Sequence, residues 1–313
     1  MQFNAANHIA GPAILTFDSQ VWYTEGDITV AIEQAEWTPA TSRFGGLGPR
    51  IKSLPVGRVS FKPDGQVTTG RMGKAFPYTM SSVGQSIFGA SDKTLIIQTL
   101  AGQKYTFQKA AVTQSPALVL ATDKTAFDGN MSFVCLHKTN TDVAEADSFV
   151  KIEANAFSDT SFDETKVITP GFTAAYGDSP FNAMDSLDGF RVEQALATSE
   201  LSVNRFGVIG AFLTGVGPAV CRFTPAGMTE ANWKTLTALD GASIRVPGVA
   251  IGSGATDLVI SGTGLSVTLN KCGCSASNLA YGAAKERLGE LTFKTRAVFS
   301  TGAPGALLTI SVS

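Results

Sequence analysis

Apolar residues along this chain alternate with polar ones at period two more often than they recur at helical spacing. Over residues 103–112 the apolar Tyr105 and Phe107 fall on one side, and Val267 and Leu269 flank Thr268 in the same way. Such alternation marks a half-buried strand, because successive strand side chains point to opposite faces. Residues 117–120, 131–136, 291–299 and 306–312 add further strand-like runs. One helix stands out. Thr229 is placed to cap it, Glu230 complements its dipole, and Trp233, Leu236 and Leu239 form one face before Gly241 ends it. The earlier stretch 68–78 carries Gly70, Gly73 and Pro77, so any helix there is expected to be shorter or broken.

These elements come twice. Arg43-Phe44-Gly45 returns 162 positions later as Arg205-Phe206-Gly207. Phe61-Lys62-Pro63-Asp64-Gly65 and Phe223-Thr224-Pro225-Ala226-Gly227 keep that separation, as do Gly102 and Lys109 against Gly264 and Lys271. Toward the ends the separation slips to 160, matching Gly11 and Asp18 with Gly171 and Asp178, and Gly129 and Phe133 with Gly289 and Phe293. A period of this length is a whole domain rather than a solenoid unit, which predicts a tandem duplication of one fold. The predicted organisation is a first copy over 1–138, a connector over 139–170 and a second copy over 171–313. The connector is acidic, poor in glycine and without a counterpart in the repeat register. Its Phe149, Ile152, Phe157 and Phe162 predict that it packs on the domains. Each copy reads as antiparallel strands with one short helix and a long loop, a mainly β fold of two tandem β-sandwich or barrel domains.

Composition narrows the function classes. Among 313 residues 44% are apolar and only 16% charged, with 32 glycines, which suits a globular, β-rich chain and not a disordered one. A net charge of -2, with no Lys/Arg run, gives no general attraction for nucleic acid. The opening residues lack a basic stretch followed by a long apolar core, so the chain reads as made in the cytoplasm, neither exported nor membrane-spanning. Its four cysteines are then expected to be reduced.

Catalytic and ligand-binding chemistry is hard to find. His8 and His137 have no metal-ligand spacing around them. Cys272-Gly273-Cys274 is the most tempting motif, yet in the repeat register Cys272 and Cys274 face Ala110 and Val112, which makes both thiols small core residues. Gly73-Lys74-Ala75 lacks the rest of a phosphate loop, and Asp185 with Asp188 or Asp163 with Glu164 read as solvated loop acids. No catalytic, cofactor or metal residue is assigned, and the chain reads as a non-enzyme. A hydrolase on a β scaffold would need a constellation that is not there.

The opening GPAILTFDSQVWYTEGDITV, the strand and turn RVSFKPDG, the block SIFGASDKTLIIQTLAGQKYTFQKAAVT and the duplicated plan together resemble a major tail tube protein of long-tailed, siphovirus-type phages. The resemblance implies small β-sandwiches flanked by a helix, assembled into hexameric rings whose inner strands close into a tube. It also implies a long loop reaching the neighbouring ring. By position, the segments 36–57 and 198–217 would be those loops, with Arg43, Phe44, Arg205 and Phe206 as contacts between rings. Two copies per chain imply a trimeric, pseudo-sixfold ring. The implied setting is a virion tail, with tape measure, tail terminator and distal tail proteins as partners and DNA passing through without specific binding. A rival reading is a tandem β-sandwich binding module, of virion-surface or carbohydrate-binding type. It predicts discrete monomers with exposed aromatic pairs, whereas the tube predicts rings that form with rising concentration.

Overall fold

Strands supply nearly all the regular structure of the chain in this computed structural model, with two short α-helices among the described residues. The structure describes residues 13–37, 40–41, 45–46, 51–64, 67–89, 92–121, 125–138, 148–154, 168, 170–177, 180–203, 206–237, 256–276, 280–282, 285–287, 289–295, 299–300 and 303–312.

The first half begins with β1 (Ala13–Phe17), β2 (Gln20–Trp22), β3 (Thr29–Glu33), β4 (Val56–Phe61) and helix α1 (Thr69–Ala75). It continues through β5 (Leu95–Thr99), β6 (Gln103–Phe107), β7 (Ala110–Gln114), β8 (Ala117–Leu120), β9 (Thr125–Asp128), β10 (Met131–Cys135) and β11 (Val150–Ala154). One sheet has the order β11-β6-β5-β1-β2 and a second the order β7-β10-β4-β3, all antiparallel.

The second half runs through β12 (Thr173–Tyr176), β13 (Phe190–Val203), β14 (Gly207–Phe223), helix α2 (Glu230–Thr237), β15 (Thr256–Gly262) and β16 (Leu265–Ala276). A small hairpin of β17 (Ala280–Gly282) and β18 (Lys285–Arg287) precedes β19 (Leu291–Thr295) and β20 (Leu308–Val312). Here β20-β16-β15-β12 reproduces β11-β6-β5-β1, and β16-β19-β14-β13 reproduces β7-β10-β4-β3.

The same aromatic nucleus fills both halves. Phe133 stacks on Phe61 with centroids 6.1 Å apart and meets Phe17 edge-on at 4.8 Å. In the second half Phe293 stacks on Phe223 at 5.7 Å and meets Tyr176 edge-on at 5.1 Å. Edge-on and offset contacts suit the ring quadrupole and add to the stabilisation from burial. The helices match as well. Thr68 and Thr229 accept at Oγ1 from the amides of Arg71 and Asn232, and α1 and α2 bury Met72 and Trp233 one turn further on. The first helix has seven residues against eight in the second, with Gly70 packed against the side chain of Gln20. Leu239 and Gly241, expected to extend and end the second helix, lie outside the described residues.

Two expectations need correction. The run 103–112 is not one strand: it breaks at Gln108-Lys109, with β6 in one sheet and β7 in the other. The alternation slips by one residue at this corner: Phe107, Ala110 and Val112 face the sandwich interior, while Ala111 packs on the outer face of its sheet. In the second half β16 turns the same corner unbroken, through Lys271 at φ 51°. The connector also does have a counterpart. Its strand β11 pairs with β6 as β20 pairs with β16, and the bond from the Gln108 amide to the Phe149 carbonyl recurs from Asn270 to Leu307. Residues 150–154 therefore complete the first sandwich. The acidic character of the segment hid this, because only Val150 and Ile152 alternate within a run of charges.

Candidate functional site

The junction between the halves is a β-sheet. Hairpin β8–β9 belongs to the first half in sequence, yet β8 pairs antiparallel with β13 of the second, setting Leu118 against Val192, Val119 against Arg191 and Leu120 against Phe190. Leu118, Leu120, Phe127, Phe190 and Val192 are all buried. The backbones meet so closely that a Cβ on Gly189, at φ 89°, would stand 2.8 Å from the Cα of Ala121. Nothing in the repeat register announced this joint. The continuous apolar run Ala117-Leu118-Val119-Leu120-Ala121 was the available signal, since strands buried on both faces lose the polar alternation.

Charges clamp the same joint. Arg191 pairs with Asp128 of the hairpin and, at 2.5 Å, with Glu193, which also takes Arg222 at 3.0 Å. The hydrogen bond from Arg191 holds the Asp128 carboxyl below its usual range. Burial pushes Glu193 up, but the bonds from Arg191 and Arg222 outweigh it and hold it low. Asp18, bound by Lys74 and Lys93 beside the β1–β2 turn, is lowered too. A depressed carboxylate stabilises the fold above its ordinary pKa and loses that contribution as pH falls through the depressed value. Asp64 works the other way: burial outweighs Arg71 and raises it to about 6, so it favours the fold at low pH and loses that as pH rises through about 6. Thermal stability is accordingly expected to fall below about pH 4. In Asp128→Asn the acid-induced loss below about pH 4 is expected to shrink relative to the parent. An unchanged pH profile would show that the clamp contributes nothing.

The distal part of the β13–β14 hairpin leaves its own sandwich and lies as an arm on the first half. Leu213 of the arm is held through both its backbone groups, with the Gly84 amide donating to the Leu213 carbonyl at 2.7 Å and the Leu213 amide donating to the Gln85 carbonyl at 3.0 Å. The Ile87 amide donates to Ala211 at 3.1 Å. Ala211, Leu213 and Val216 pack there on Val56, Ile87, Phe88 and Val134. At the tip the Leu54 amide donates to the Phe206 carbonyl at 2.9 Å, and a Cβ on Gly207 would lie 2.9 Å from that of Ser53.

Of the four residues expected at contacts between rings, the structure describes one. Phe206 is exposed at the arm tip, its main chain engaged with the first half of the same chain. Arg43, Phe44 and Arg205 lie outside the described residues. Cys272 is buried and Cys274 half-buried, and burial pushes the Cys274 thiol up to about 12, far from the reactive thiolate range. His137 is hydrogen-bonded to Ser148, next to β11. Among the described residues no three or more His, Cys, Asp or Glu side chains gather as a metal site would require, and no helix is long and apolar enough to cross a membrane.

Among the described residues, the sheet β7-β10-β4-β3 of the first half ends in an unpaired edge at β3. Every residue of β3 is exposed, Val30 at 42% and Ile32 at 56%, whereas Val192, at the same register on β13, is fully buried. Beside this edge runs a groove of about 870 Å³ lined by Ile28, Val30, Ile32, Ile97, Tyr105 and Ile152. Comparison with known proteins finds no family model that matches the chain and no curated protein that matches it.

Proposed function

We propose that this chain is a structural virion protein that assembles with itself into stacked rings, forming the tail tube through which phage DNA passes. The single observation that carries this reading is the junction. One chain sets two sandwiches of the same strand order side by side and joins them by strand addition, a contact that a ring needs between every pair of neighbours. Three chains with two copies each close a pseudo-sixfold ring. Closure pairs the sheet edges that would otherwise template indiscriminate aggregation.

The arm and its counterpart loop in the first copy are then the elements that meet the next ring, through Arg43, Phe44, Arg205 and the side chain of Phe206. A net charge of -2 suits a conduit that must release the DNA it passes. In this reading the tape measure, tail terminator and distal tail proteins are the partners, and the virion tail is the place of action.

Negative-stain electron microscopy with light scattering tests the proposal. Rings, and at higher concentration tubes, are the expected result; monomers at every concentration would overturn it. Replacing Arg205 and Phe206 by alanine leaves the main-chain bond to Leu54 in place. That double variant, and the matching one at Arg43 and Phe44, is expected to form rings while polymerising poorly into tubes. Tubes as abundant as the parent's would reject the placement of the loops.

A further inference from the structure

The chain carries both halves of its internal joint a second time, and among the described residues the two members of the second set are not paired with each other. In the joint that is made, β8 of the hairpin β8–β9 adds to the edge strand β13. The edge strand recurs as β3. It pairs with β4 in the register in which β13 pairs with β14, so that Thr29 and Val30 stand where Arg191 and Val192 stand. The hairpin recurs as β17–β18, which follows β16 as β8–β9 follows β7 and precedes β19 as β9 precedes β10. Among the described residues this second hairpin pairs only within itself, and β3 pairs only with β4.

We propose that β17 of one chain adds to the outer edge of β3 of the next chain. Carrying the internal register across places Ala280 against Val30 and Tyr281 against Thr29. The occupant is thus a second copy of this chain, and three observations favour it. The edge is apolar where a solvated one would be polar: Val30 and Ile32 stay exposed while the corresponding Val192 and Gln194 are buried in the made joint. The groove beside the edge is lined by Ile28, Tyr105 and Ile152, and a strand added to β3 covers it. Finally, the hairpin and the edge lie on opposite halves of the same chain, so the contact is head-to-tail and continues from chain to chain.

The proposed contact lacks one feature of the internal one. Asp128 and Arg191, which clamp the joint within the chain, are replaced in the repeat register by Leu288 and Thr29. The joint between chains therefore rests on strand pairing and apolar burial, which makes it dependent on concentration and insensitive to salt. The inference rests on the proposed ring but names a contact that is tested separately from it.

The test places cysteines at Val30→Cys and Ala280→Cys together, since directly opposed strand residues have Cα atoms about 4.5–5.5 Å apart, within disulfide range. The native thiols are buried or half-buried and give a low background. Mild oxidation of the assembled double variant is expected to yield a ladder of covalently linked chains, reversed by reductant and absent from either single variant. Rings in the microscope without a ladder would assign the edge to another occupant and overturn the proposal while leaving the ring intact. A ladder without rings upholds the strand addition and overturns the ring; neither ladder nor rings overturns both. A second variant, Val30→Lys with Ile32→Lys, adds charge to an exposed edge and is expected to keep the parent's circular dichroism. The protein concentration needed for assembly is expected to rise by about tenfold or more. Assembly at the parent's concentration would overturn the proposal.

Discussion

Phe293→Ala is expected to lower the free energy of unfolding by about 3–5 kcal/mol, the range for a large aromatic deleted from a packed core. Phe293 is fully buried at the centre of the second sandwich, on a strand paired on both sides by β14 and β16. Its ring touches Tyr176 from the facing sheet and stacks on Phe223 at an interplanar angle of 3°. No neighbour can swing into the space, because each partner is held by its own strand ladder, and the cavity stays open. Phe133 holds the corresponding place, stacked on Phe61 at 5°. Phe133→Ala is expected to cost a similar amount. Urea denaturation followed by circular dichroism measures both, and a loss below about 1 kcal/mol in either would mean that the site repacks.

Gly189→Ala is the second large effect expected, about 2–4 kcal/mol from two sources, left-handed backbone and overpacking. Residue 189 sits at φ 89°, and a Cβ there would press at 2.8 Å on the Cα of Ala121 and at 2.9 Å on the carbonyl oxygen of Leu120. Those are backbone atoms of the segment that joins the halves, so relief requires moving hairpin β8–β9 off β13. Gly26 supplies the control, with the same φ of 89° and nothing within 4 Å of its added Cβ. Gly26→Ala is expected to cost only the conformational part, about 1–2 kcal/mol. Equal losses at the two sites would show that the close approach at the junction contributes nothing to stability.

The corner strand shows how far alternation can be read. Tyr105 and Phe107 announced a strand correctly, but nothing in the alternation over 103–112 said that it ends at Phe107 or which sheet comes next. That depends on which strands lie alongside, and these are distant in sequence. The junction was illegible for the same reason. A run such as Ala117–Leu120 declares that both its faces are buried without declaring against what.

The sequence by itself determined that the chain is mainly β, that a helix is capped at Thr229, and that the same anchors are written twice. Local side-chain chemistry and a fixed separation of anchors suffice for these. Only the tertiary structure decided that the acidic connector contributes the last strand of the first sandwich. It also decided that the halves share a sheet and that, among the described residues, one strand edge and one hairpin are left over. Strand addition depends on main-chain hydrogen bonds, which every residue but proline offers alike, so the choice of partner is made by where the folded edges end up.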